Sequence, residues 1–223
     1  MRHLLSSALT PCLTLCLALL FAFQLQAQTL SSDNNNDGCV NLDDILNVLS
    51  EYGLCSSFAC GDLLSHEGYE YSTVQIGDQC WFAENCRYLP EVSPSSEGSE
   101  TEPFYYVYGY QGTDVAAQAT ANYATYGVLY NWPAVMTEGI CPSDWHIPTD
   151  GEWQTMEISL GMSESEAAGT GFRGTDEGYQ MKSFSGWNSG GNGSNSSGFN
   201  GLPGGYRYSG GFDYSGGYGN WWS

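Results

Sequence analysis

The run Asp33-Asn34-Asn35-Asn36-Asp37-Gly38-Cys39-Val40-Asn41-Leu42-Asp43-Asp44 leaves its backbone few options. Side-chain oxygens fall at positions 1, 3, 5, 9 and 12 of a twelve-residue loop, with glycine at position 6. That spacing curls a chain around a hard cation needing six to eight oxygen ligands, and Ca2+ is the expected ion. Asp33, Asn35 and Asp37 supply side-chain oxygens, Cys39 its backbone carbonyl, Asn41 an oxygen acting through water, and Asp44 the closing carboxylate. Gly38 permits the sharp turn, and Val40 directs its side chain inward. Leu42, Ile45, Leu46 and Leu49 then form one apolar face of an exiting helix, with Gly53 as its C-cap. An Asn/Asp-rich linker explains the composition but not the joint match of ligands, glycine and helix.

The chain begins Met1-Arg2-His3, runs apolar from Leu4 to Phe23, and reaches a small residue at Ala27. These are the parts of a secretory signal. The apolar run is short for a membrane span, and no Lys or Arg follows to stop transfer. Residues 1–27 are therefore expected to be removed. The protein is expected to be secreted or held at the cell surface, without membrane insertion after cleavage. The formal net charge is −20, from 5 Lys or Arg against 25 Asp or Glu. Nucleic acid and anionic lipid are excluded as expected partners, because both need clustered cations. Aromatic residues make up 14% of the chain, which marks a folding sequence rather than an acidic tail.

Six cysteines lie beyond the export segment: Cys39, Cys55, Cys60, Cys80, Cys86 and Cys141. An even count in an exported chain points to disulfides, and no repeated short spacing points to zinc. Cys39 and Cys55 bracket the predicted helix and are placed to close a miniature domain over 28–55.

From Cys60 to Ser223 the chain reads as a second domain, rich in Tyr, Trp and Gly. Tyr69–Ile76 and Gln79–Ala83 flank Gly77-Asp78, which predicts a hairpin. Pro90–Pro103 reads as an exposed loop and Phe104–Tyr110 as a strand. Thr149-Asp150-Gly151-Glu152 is a capping box, followed by Trp153, Met156 and Leu160 at helical spacing. Ser163–Glu166 repeats the capping pattern. After Lys182, regularly spaced aromatics predict short strands joined by glycine turns.

The segment carrying Asp33, Asn35, Asp37, Gly38, Val40, Asn41 and Asp44 resembles a single dockerin-type or EF-hand-like repeat, though dockerins carry two copies. Tyr71–Asn85, Tyr126–Trp132, Cys141–Trp153, Gly198–Arg207 and the final Trp221-Trp222-Ser223 resemble the Fibrobacter succinogenes major paralogous domain, over about residues 60–223. The Trp145-His146-Ile147-Pro148-Thr149 block with Glu152-Trp153 is similar to formylglycine-generating-enzyme-like domains. The resemblance implies an α+β, C-type-lectin-like fold that is strand- and loop-rich with one or two short helices. Members of that family continue past the Trp-Trp-Ser block, so the resemblance also implies truncation after Ser223 and the loss of the usual partner of Cys141.

No nucleophile elbow, zinc-protease helix or phosphate loop occurs, and His146 is expected as a structural residue at a strand end. The expected function is a calcium-binding, non-catalytic surface protein that meets an extracellular protein or polysaccharide. The alternative is a carbohydrate-binding accessory of a polysaccharide-degrading system, tethered by the dockerin-like segment. Tyr106, Tyr108, Tyr110, Trp187, Trp221 and Trp222 are candidate sugar platforms, against the simpler role of filling a small core.

Overall fold

Strand β2 (Tyr69–Ile76) turns Tyr71 and Thr73 inward and leaves Glu70 and Ser72 in solvent. This is the period-2 alternation of a half-buried strand. The computed structural model describes residues 58–223, and within it Ala59–Ser223 form one unit. The predicted export segment, the calcium loop with Asp33, Asn35, Asp37, Cys39, Asn41 and Asp44, its helix, and the Cys39–Cys55 pairing lie outside the described residues.

β2 pairs antiparallel with β1 (Leu63–His66) on one side and β3 (Gln79–Phe82) on the other. The turn to β3 passes through Gly77 at φ +61°, a conformation that glycine adopts without a Cβ penalty. The expected hairpin is therefore present. A disulfide from Cys60 to Cys80 ties the chain just before β1 to β3. Cys86 and Cys141, expected as further staples, carry free thiols.

A second pair joins β4 (Tyr105–Tyr106) to β5 (Leu129–Tyr130). The strand expected over 104–110 shrinks to two residues. Tyr105, Tyr106 and Val107 are all buried in succession, so this segment is packed from both sides and no longer alternates. Part of the cover comes from residues 90–103, which are not the free loop expected. Ser93 and Ser95 are buried, Ser93 N–H donates to the Tyr105 carbonyl at 2.9 Å, and Tyr105 N–H returns a bond to Ser93 Oγ at 3.0 Å.

Among the described residues there are five short helices, where one or two were expected, and four of them follow local capping chemistry. α1 (Ala121–Tyr126) starts at Thr120, and α2 (Trp132–Val135) starts at Asn131, with Pro133 in its first turn. α3 (Asp150–Ser159) and α4 (Glu164–Ala167) both begin with the predicted capping boxes, at Thr149/Glu152 and Ser163/Glu166. α5 (Glu177–Met181) has no side-chain cap. A last hairpin joins β6 (Tyr206–Tyr208) to β7 (Gly211–Asp213).

The glycine-rich stretch after Lys182 is folded as expected but contributes that one hairpin. Elsewhere backbone bonds outside any sheet hold it, such as Ser183 N–H to the Gly201 carbonyl at 3.0 Å and Gly193 N–H to the Ser183 carbonyl at 2.8 Å. Small antiparallel sheets and short helices make the architecture α+β.

Two apolar clusters hold these pieces. Met156, fully buried on α3, meets Ile76, Trp81 and Phe199, with Trp153 and Leu160 at its margin. Tyr105, Val128 and Ala134 form the other, flanked by Tyr88, Leu89, Tyr123 and Tyr130.

Candidate functional site

The loop after β3 carries the densest polar cluster. The Glu84 carboxylate accepts from the Ser72 N–H at 2.9 Å and the Tyr69 hydroxyl at 2.8 Å, and pairs with Arg87. Arg87 also lies over the Tyr69 ring, 4.2 Å from its centroid, and donates to the Ala124 carbonyl at 2.8 Å. Burial alone raises the carboxyl of Glu84, but the bonds from Ser72, Tyr69 and Arg87 outweigh it and hold the group below its ordinary value. Each charge here is answered by a neighbour. The cluster therefore clamps β2, the following loop and α1 together.

Beneath it, Tyr130 donates its hydroxyl to the Tyr88 carbonyl at 2.8 Å and lies 3.3 Å from Cys86 Sγ. Burial, reinforced by Cys86, pushes the Tyr130 phenol well above its ordinary value. Burial and the same neighbour push the Cys141 thiol up to about 11. Cys141 is therefore an unreactive thiol at neutral pH.

His146 has no strand beside it. Its ring Nε2 sits 2.7 Å from Glu152 Oε1 at the N-terminus of α3. The Thr149 backbone N–H first, and His146 second, hold the Glu152 carboxyl below its ordinary value. The pair completes a helix cap. Among the described residues no group of three or more His, Cys, Asp or Glu is arranged to hold a metal ion, and no helix is long and apolar enough to cross a membrane.

The aromatic candidates divide sharply. Tyr106 is buried and sends its hydroxyl to the Glu97 carbonyl at 2.7 Å, so it is core. Tyr110 is bonded to Asp114 at 2.7 Å, and Trp187 is capped by Lys182 at 4.9 Å from its ring. Trp221 packs against Phe199, with centroids 5.5 Å apart. Trp222 differs. It remains 43% exposed beside Trp132, which is 45% exposed; their centroids are 5.7 Å apart and their planes 55° apart. Trp222 donates its indole N–H to the Tyr130 carbonyl at 3.0 Å, and Trp132 stands at the first position of α2. The arrangement is an open, V-shaped aromatic surface.

Trp132 was not singled out in the sequence, although Asn131-Trp132-Pro133 carries a usable signal. An Asn N-cap followed by proline fixes a helix start and sets Trp132 at its first position.

Arg87 pairs with Glu84, Arg173 with Glu157 at 2.9 Å, and Lys182 covers Trp187. Arg207 has no carboxylate partner among the described residues. It lies over the Tyr106 ring, 4.9 Å from the centroid, and donates through Nε and Nη2 to the Ser95 carbonyl, each at 3.2 Å.

No curated protein and no solved structure matches the chain. The family model described as the Fibrobacter succinogenes major domain matches residues 74–223.

Proposed function

The chain belongs to the Fibrobacter succinogenes major domain family, and from that premise we propose that it is an exported, calcium-binding, non-catalytic interaction protein that works in adhesion or assembly at the cell surface. In this reading residues 1–27 direct export. The segment 28–55 is a dockerin-like loop and helix that holds Ca2+ through Asp33, Asn35, Asp37, Cys39, Asn41 and Asp44. The domain from Cys60 onward is a C-type-lectin-like contact module.

The observation that carries the contact role is the indole pair Trp132 and Trp222, both close to half exposed, with Trp222 held by a bond to the Tyr130 carbonyl. Rigid exposed aromatics contribute contact area at low entropic cost, because little side-chain freedom remains to be lost. The same pair favours a second reading, binding of carbohydrate as an accessory of a polysaccharide-degrading system. The C–H face of a pyranose packs against an indole, and two rings in a V present two such faces.

The test is to incubate residues 28–223 with intact bacterial cells and with insoluble neutral polysaccharides in calcium, then measure depletion and released reducing ends. Depletion without released ends supports a binding role. Released ends, or no depletion on any surface, would sink it.

A further inference from the structure

We infer that the open cavity between residues 96–100 and the tip of the β6–β7 hairpin is a binding site for a neutral saccharide, with Arg207 as its donor fork and Tyr208 as its ring platform. The inference rests on the carbohydrate reading above and names a place for it other than the indole pair.

The cavity measures about 500 Å³, within the roughly 300–1,000 Å³ that small-molecule sites occupy. Its walls come from distant parts of the chain. The hairpin tip turns through Ser209 and Gly210 at φ +48° and +81°, the pattern of a tight two-residue turn. A Cβ at Gly210 would come within 3.3 Å of the Ser96 carbonyl, so the tip closes directly over the opposite wall. A Cβ at Gly98 would fall 2.3 Å from Arg207 Nη1, so glycine is what admits the guanidinium here.

Arg207 is thereby fixed before any ligand arrives. Its plane rests over Tyr106, and the Ser95 carbonyl takes two of its five N–H groups. The other three have no acceptor among the described residues. In a chain with 25 Asp or Glu against 5 Lys or Arg, a guanidinium left without a carboxylate is the exception.

The lining chooses the ligand. Arg207 only donates, Glu100 only accepts, and the Ser96 and Ser209 hydroxyls do both. None of the side chains of Glu100, Ser96 and Ser209 has a hydrogen-bond partner among the described residues. An anion would meet Glu100 and the net charge of −20; a cation would meet Arg207. Vicinal hydroxyls satisfy both signs at once, since each donates and accepts. Beside them Tyr208 stands 71% exposed at the cavity edge, a ring available to the apolar face of a pyranose.

The experiment is titration calorimetry of residues 28–223 with cellohexaose, laminarihexaose, xylohexaose and mannohexaose, and with a hexauronate as the anionic probe. Three variants run in parallel: Tyr208→Ala, Arg207→Lys and Trp222→Ala. Tyr208→Ala removes an exposed ring, and Arg207→Lys keeps the charge but loses the fork. Thermal melts confirm that each is folded, and Tyr208→Ala alone decides the matter if Arg207→Lys loosens the loop. At least one neutral hexasaccharide is expected to bind, with affinity falling about ten-fold or more in Tyr208→Ala and Arg207→Lys. Binding that survives the first two variants and disappears with Trp222→Ala overturns this site while leaving the carbohydrate reading intact. Binding of the hexauronate alone overturns the assigned ligand class. No binding by the unaltered protein removes both the site and the reading.

Discussion

Trp222 donates its indole N–H to the backbone carbonyl of Tyr130 at 3.0 Å, across 92 residues of sequence. The carbonyl of Trp222 in turn accepts from the Trp153 indole at 3.3 Å. The last residues of the described domain are thus bonded to β5 and to α3, and Trp221 packs against Phe199 of the Met156 cluster.

Of the neighbours Trp221 and Trp222, Trp221 is expected to carry more of the stability. Its ring meets Phe199 and Trp153 and lies against Gly201. Trp221→Ala is expected to cost about 2 kcal/mol, less than a fully buried Trp because the ring is partly exposed. Urea melts of both single variants check this, with Trp222→Ala expected to cost less than Trp221→Ala.

Reduction of Cys60–Cys80 reopens a loop whose ends are 20 residues apart. The gain in unfolded-state entropy is expected to lower stability by about 3 kcal/mol. Denaturant melts of Cys60→Ser/Cys80→Ser against the parent measure it, and a change below about 1 kcal/mol would contradict the assignment.

The Cys141 thiol holds its proton to about pH 11 in the fold, against an ordinary value of 9.0. Below pH 9 both states are protonated and stability is complete. Between 9 and 11 the unfolded chain releases the proton first, so stability falls as pH rises through this window. The raised phenols of Tyr71 and Tyr130 extend the loss to higher pH in the same direction. Iodoacetamide labelling of Cys141 in the native protein should keep rising about ten-fold per pH unit beyond 9. A rate that levels off near 9 would show an unperturbed thiol.

Calcium titration of residues 28–223 should show one ion bound and a rise in melting temperature, both lost in Asp37→Ala. At a hundred-fold excess over Kd the stabilisation of the bound unit is about 2.7 kcal/mol. An absence of heat and of any melting shift would reduce Asp33–Asp44 to a linker.

What could be read in the sequence was what is local. Thr149 and Glu152 stand three residues apart, and their cap is complete within one turn. The β2–β3 hairpin is announced by Gly77-Asp78 between two alternating runs. Burial on both faces was not legible, and so the segment around Tyr106 looked like a strand with an open side. Its cover arrives from Ser93 and, through Arg207, from a hundred residues downstream. The free thiol of Cys86 was misjudged for a related reason, since an even cysteine count does not specify which sulfurs meet, whereas the loss of a partner for Cys141 was anticipated from the resemblance. The Arg207 cavity is the extreme case, since its anchor to Ser95 spans 112 residues. Only the shortage of other cations hinted that this one would matter.

The position of the disulfide also sets how the domain answers a pull. Tension arriving along the chain from residue 58 reaches Cys60 and crosses covalently to Cys80 in β3. Strands β1 and β2 lie wholly inside the bridged loop and carry none of that load, so the first sheet cannot be peeled from its N-terminal edge. The force must instead enter through β3, where Trp81 is seated in the apolar cluster around Met156. A domain tethered from this end resists detachment at its core, not at its rim.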